Sequence, residues 1–443
     1  MQIIESMSGE VLASIGPVLV SLRDPRAGVE ELRQRTTGAL ASVVDPRLAS
    51  WVAATGPPPS YEAYQLFAQG FDAYSGARFS GGSSARTDFL TAADYFRRAA
   101  ALDSTYALPL LWEVYARFYA GDRDGEASIL DDLTSRRDAL TRWEQNLLDA
   151  HLARREHDWL KQYAALSRLV AMRPGSEWNI ELAQVAGFEL GRLEEAVTLL
   201  EGVTDQGWLA VWPQYWWLLT EFRHMLGQYE RELQDVGTWR VRFPEYVWGA
   251  AEIAPLAALG RVEEALGLAK APSDFTILVS ELFAHGYHEA AQGVITKHLP
   301  RVDFIDPSPF FDAQLLLLTG RLAEAESLLR SSLEERPYLW EDWALLVKVI
   351  LAKGDREEAV RIANHVVELE TTAPGLKAVG RVLTLMHLGD RAGAVTVLRP
   401  MFAGGRRSVY FLRVVHRFGP VPQSMADYAP FRELVGWPPP APN

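Results

Sequence analysis

The chain has 443 residues, with 44 Lys and Arg against 57 Asp and Glu, a formal charge of −13 at pH 7. That acidic balance lacks the net basic face a phosphate backbone asks for, so no nucleic-acid partner is expected. The absence of Cys removes disulfides, thiolate metal sites and cysteine nucleophiles, and 11% aromatic residues argue against a wholly disordered chain.

At the start, MQIIESMSGEVLASIGPV reads as two short apolar runs around Ser8-Gly9, a β-hairpin pattern. Residues 1–7 carry no Lys or Arg, and the apolar stretch 11–22 holds Gly16 and Pro17. Neither a secretory signal nor a span is read there, and no segment approaches 18 uncharged apolar residues. A soluble chain without a direct membrane span is expected. It would be cytoplasmic if Met1 is the true start, and extracytoplasmic if the chain is a receptor fragment or is attached to a membrane complex. Residues 25–44 predict an amphipathic helix with Val29, Leu32, Thr36, Leu40 and Val43 on its apolar face. Two strands and one helix are too little to fold alone. Residues 1–58 are therefore expected to be a short α/β segment, with a linker at 56–60. A helical array should cover 59–403, and a capping helix with a Pro-rich tail 404–443.

Internal repetition decides the fold. A glycine followed by polar residues and a small residue recurs as GRLEEA (191–196), GQYERE (227–232), GRVEEA (260–265), GYHEAA (286–291), GRLAEA (320–325), GDREEA (354–359) and GDRAGA (389–394). Upstream, 89–103, 121–133 and 157–174 carry the pattern less cleanly. The last residue of each motif sets an anchor: Ala92, Ala127, Gln162, Ala196, Glu232, Ala265, Ala291, Ala325, Ala359 and Ala394. Glycine suits the point where a first helix ends in the left-handed conformation, and the small anchor lets the second helix approach its neighbour. Pro174, Pro244 and Pro337 each stand twelve residues past an anchor, where they stop the second helix. The short interval from Ala265 to Ala291 predicts a truncated first helix near 273–285, and the insertion at 76–87 predicts a flexible loop.

The glycine-to-anchor motif, the period near 34, the prolines, and Trp216 and Trp343 sixteen residues before their anchors resemble the tetratricopeptide repeat family over 60–403. The resemblance implies an all-α fold, a right-handed α-solenoid of about ten helix pairs. HEAT, Sel1-like and pentatricopeptide arrays fit these periods and boundaries less well. Residues 1–58 with PPPSYEAYQLFAQGFDAY (57–74) also resemble the accessory region of bacterial multidomain signalling proteins of the serine/threonine kinase or adenylate cyclase type. No glycine-rich phosphate loop, HRD or DFG accompanies that segment.

Chemical motifs are sparse. GGSSAR (81–86) and AGGRRS (403–408) do not continue into a phosphate loop, and His285, His288 and His298 lack the spacing of a metal site. Acidic pairs such as Glu194-Glu195 sit where helix N-termini favour negative charge. The expectation is a non-enzymatic scaffold with no cofactor, binding a protein partner or serving in a larger complex. The alternative is a ligand- or partner-sensing region of a signalling kinase or cyclase. Aromatic residues concentrate at Trp208, Trp212, Tyr215, Trp216, Trp217, Trp239, Tyr246 and Trp248, where Trp212 and Trp216 read as core. In the resembled family, positions fifteen, eleven and eight before the anchor line the concave face. That rule selects Trp112 and Tyr119, then Trp217, Glu221 and His224, then Lys348 as partner-binding residues. The Lys and Asn pairs that clamp a chain-end carboxylate in some members have no counterpart at these positions, so chaperone-tail recognition is not expected.

Overall fold

A computed structural model describes residues 2–4, 6, 7, 9, 11–18, 23–45, 58–80, 85–176, 178–203, 214–244, 250–299, 309–335, 337, 339–368, 374–402, 425 and 427–435. Trp208, Trp212, Tyr246, Trp248, most of GGSSAR and all of AGGRRS lie outside the described residues. Compactness divides the chain into Met1–Val185 with Thr198–Trp212, and Ala186–Val197 with Pro213–Asn443.

The first unit opens with strands Gln2–Ile4 and Val11–Ser14, paired antiparallel with Gln2 opposite Ser14. Asp24 caps the following helix, Pro25–Val44, by accepting from the Ala27 amide at 3.3 Å. The helix bounds match the expectation, but its apolar face does not. Val29 (71% exposed), Leu32 and Leu40 face outward, and Gly28, Gly38, Ala39 and Ser42 are buried instead. Close approach explains the reversal: a Cβ on Gly38 would stand 2.2 Å from the Pro59 carbonyl oxygen. Arg35 then pins the helix, donating to the Pro58 carbonyl at 3.0 Å and pairing with Asp103 at 3.1 Å.

Helix pairs follow: Tyr61–Ser80 with Ala85–Leu102, Leu108–Ala120 with Arg123–Ser135, and Arg142–Arg155 with Trp159–Met172. The loop expected over 76–87 is mostly helix. The chain stays helical to Ser80 and resumes at Ala85, because Ala77 is buried and Phe89 packs edge-on against Tyr74 at 5.6 Å. Trp178–Gln184, a π-helical turn Val185–Glu189, and Leu193–Glu201 form the next pair. In the second unit stand Gln214–Met225 with Tyr229–Arg242, Ala250–Ala258 with Val262–Leu268, and Pro272–Ala284 with His288–Lys297. Pro309–Leu318 with Leu322–Glu335, Trp340–Ala352 with Arg356–Glu368, and Pro374–Leu388 with Arg391–Phe402 complete it. Among the described residues the fold is all-α apart from the hairpin, built from repeated helix pairs.

A single turn geometry generates the repeats. The residue between paired helices has positive φ at 121, 157, 191, 227, 260, 286, 320, 354 and 389, and His157 alone among these is not glycine. The next amide usually bonds back five residues, as in Asp122 N to Arg117 O (2.9 Å) and Arg321 N to Leu316 O (2.8 Å). Five residues past each turn lies a buried anchor: Glu126, Gln162, Ala196, Glu232, Ala265, Ala291, Ala325, Ala359 and Ala394. First helices of successive pairs pack side by side, as Ala250–Ala258 does on Pro272–Ala284 and Trp340–Ala352 on Pro374–Leu388. The three prolines stand where expected, just past helices ending at Met172, Arg242 and Glu335.

The shortened interval is resolved differently from the expectation. Pro272–Ala284 is a full helix of 13 residues, and the truncation falls on Val262–Leu268, of 7 residues. Pro272 opens the later helix at its first position, and Asp274 accepts from the Lys270 and Ala271 amides at 2.9 and 3.0 Å. That start leaves the preceding helix no room to extend. At the other end, Ala429–Val435 buries Phe431 and Val435 in the apolar cluster around Ala359 and Ala394.

Candidate interaction surface

The face built by successive first helices carries the candidate residues, and the true register decides which of them point where. In the second pair the buried anchor is Glu126, not Ala127, because the turn residue is Gly121. Moving the register by one turns Trp112 into the core. Only 3% of it is exposed, and its ring stands edge-on to Phe71 (5.0 Å) and Tyr74 (5.3 Å). An exposed Trp112 is therefore excluded. Tyr119 is half-buried, stacked on Phe89 at 5.4 Å with the Arg78 guanidinium 4.2 Å above its ring.

In the second unit the register holds. Trp217, Glu221 and His224 share the helix Gln214–Met225. Trp217 is half-buried with its ring 6.0 Å from Phe188, whereas Glu221 is buried. His224 is committed internally. Its imidazolium donates from Nδ1 to Glu232 Oε2 at 2.9 Å and from Nε2 to Glu281 Oε2 at 3.3 Å. Burial disfavours the charge, but the two carboxylates outweigh it and hold the imidazole well above its ordinary pKa. Burial pushes the Glu232 carboxyl up to about 7, against the pull of His224. Beside them, the Tyr229 hydroxyl donates to His285 Nε2 at 2.7 Å, and His285 Nδ1 donates to the Glu281 carbonyl at 2.9 Å. Lys348 stands four pairs further along, half-buried, with burial pushing its pKa down to about 8. On the next first helix, burial and the Lys348 charge drive His387 down to about 3.

The charged anchor at 126 has no signal in the repeat spacing, which points to Ala127. Glu126, 1% exposed, accepts from Arg154 Nη2 at 3.2 Å and from Arg123 Nη1 at 2.9 Å. Arg154, 6% exposed, lies over Phe118 (4.1 Å) and Tyr115 (4.7 Å). Arg154 is eight before Gln162 and Glu181 fifteen before Ala196, so the same counting rule would have named both. Read literally, the same register places Asp149 on a core position in the unit anchored at Gln162. Asp149 is in fact one-third exposed and paired with Arg137 at 2.7 Å.

Among the described residues no group of His, Cys, Asp or Glu is arranged to hold a metal ion, and no helix is long and apolar enough to cross a membrane. No family model matches the chain, and no curated protein matches it in sequence. Among solved structures it is similar to a tetratricopeptide repeat protein from Parabacteroides merdae, at 12% identity and TM-score 0.33, over 62% of this chain and 98% of that one. It is also similar to the P58(IPK) TPR domain, at 13% identity and TM-score 0.20, over 81% of this chain and 98% of that domain. Overlaps this low carry no argument, and the repeat architecture rests on the turns and anchors described above.

Proposed function

We propose that the chain is a non-enzymatic interaction scaffold that binds a segment of a partner protein along the face of its first helices. The observation that carries this reading is the side-by-side packing of first helices, as of Pro272–Ala284 on Pro309–Leu318, with a half-buried aromatic on a first helix of each unit, Tyr119 in the first and Trp217 in the second. Half-buried, held aromatics are the side chains that most often dominate binding energy. The buried imidazoles fit this reading, since His224 is tied to two carboxylates and His151 is packed on Tyr115 at 4.4 Å. Pull-down of native partners by the full chain and by Trp217→Ala, with thermal melts of both, tests it. Loss of one partner by a variant that its melt shows still folded at the capture temperature supports the groove. Equal capture by both proteins counts against it.

A further inference from the structure

We propose that the first-helix face of the first unit receives a carboxylate side chain of an acidic partner segment between Arg78 and Arg154. The inference rests on the scaffold reading above and names the chemistry the partner must bring.

The two cations stand on adjoining rings. Arg78 lies over Tyr119, Arg154 over Phe118, and the Phe118 and Tyr119 centroids are 5.1 Å apart. A guanidinium lying on a ring spends its face on the aromatic and keeps its edge of N–H donors available. Arg78 is half-buried, hydrogen-bonds the Tyr119 side chain, and pairs with no carboxylate among the described residues. Arg154 gives one nitrogen to Glu126, while its buried Nε–H meets no acceptor. A buried donor in that state is unusual in a native fold and marks a place for an incoming acceptor. Glu126 does not compete for Arg78, because its second oxygen is occupied by Arg123.

Among the described residues, Glu181 feels both cations through their charge. Burial raises its pKa, while the two guanidinium groups pull it back down. Two guanidinium groups and two adjoining rings thus stand together on a chain whose formal charge is −13. Paired planar forks of this kind match a carboxylate bidentately, which a lysine pair would not do. An acidic side chain within an extended segment would meet this pair of guanidinium groups without needing a free chain end.

The test uses an array of C-terminally amidated decapeptides in which each position in turn carries Glu, Gln, Lys or phosphoserine, probed with the full chain. The wild type should retain peptides with Glu at one fixed position and lose about tenfold on Glu to Gln there, the scale of one charge-assisted contact. Arg78→Gln should abolish that preference with an unchanged melt. Arg154→Gln alone strands Glu126, so the second variant is Arg154→Gln with Glu126→Gln, which should abolish it as well. Peptides bound with no acidic preference, or a preference that survives Arg78→Gln, would overturn the inference and leave the scaffold reading standing. Preference for phosphoserine over Glu would overturn the carboxylate assignment. Retention of no peptide at all would overturn both readings.

Discussion

The helices around His151 in the first unit and those around His224 in the second bury an imidazole in the same kind of helix pair, yet with opposite charge. Burial and the neighbouring Arg154 push His151 well below its ordinary pKa, and its remaining bond is to the Leu111 backbone. Around His224 the same burial is overruled by Glu232 and Glu281. Position in the repeat therefore does not set the charge state. The neighbour one helical turn away or on the adjoining helix does. In a third region the anchors Ala325, Ala359 and Ala394 are small and apolar, enclosed by Leu329, Leu345, Ile350 and Leu383. Where the anchor is Glu instead of Ala, a cation on a first helix answers it: Arg154 for Glu126, His224 for Glu232.

The largest expected effect breaks the first region at its centre. Trp112→Ala should cost about 3–5 kcal/mol in urea unfolding, the range for deleting a large buried aromatic. Trp217→Ala, half-buried in the second unit, should lose roughly half as much, in proportion to the apolar area it buries. Equal losses would mean the two tryptophans are equivalent despite their different registers.

Next in size is the charged anchor. Arg154→Gln leaves Glu126 buried with Arg123 as its remaining partner, and should cost about 3 kcal/mol, the low end for stranding a buried charge. Adding Glu126→Gln removes the stranded charge and should recover a large part of the loss. A double variant as unstable as the single one would show that Arg154 acts through its ring contacts and not through the pair.

How far the sequence reaches follows from these same residues. The turn glycines and small anchors are legible because φ near +70° and close helix approach each admit few residue types. His157, at φ 56°, shows that the geometry persists where the signature residue is absent. The one-residue slip between Glu126 and Ala127 was hidden because Ala is the commoner small residue and a buried Glu looks wrong until Arg154 is seen. The face of Pro25–Val44 was misjudged for a related reason: periodicity finds the apolar stripe, but Gly38 and Arg35 decide the docking. Of the candidate residues, Tyr119 and Trp217 stay on the half-buried surface and Trp112 does not; Arg154 falls on the counting register, whereas Arg78 emerges only from packing.

Acidity should separate the two histidine regions with opposite sign. His224 has its pKa raised in the fold, so its contribution is complete below 6.5 and is lost as pH rises through the folded value. Glu232 adds the same trend, because the fold holds its proton from 4.5 up to about 7. His151 is depressed, so its contribution is present above 6.5 and is lost as pH falls. Hydrogen exchange, corrected for intrinsic rates, should show Gln214–Met225 loosening at pH 8.5 and Arg142–Arg155 loosening at pH 5. His224→Gln should flatten the first response only. A parallel response of both segments would break the comparison.

The smallest expected effect concerns the helix that truncation left weakest. Val262–Leu268 buries only Ala265 and closes on an Ala269 amide bonded to the Ala265 carbonyl at 3.1 Å. Gly267 lies within it with ordinary helical backbone, exposed to solvent, and a Cβ there would meet nothing within 4 Å. Gly267→Ala therefore removes unfolded-state freedom without strain, and should stabilise by about 0.5–1 kcal/mol, toward the low end so near a helix terminus. Because each pair leans mainly on its neighbours, the gain should appear locally. Slower exchange is expected across Val262–Leu268, while Leu322–Glu335, a second helix of 14 residues anchored by Ala325, keeps its wild-type rate. If both segments slow equally, the array unfolds as one cooperative body and the short helix is not its weak point.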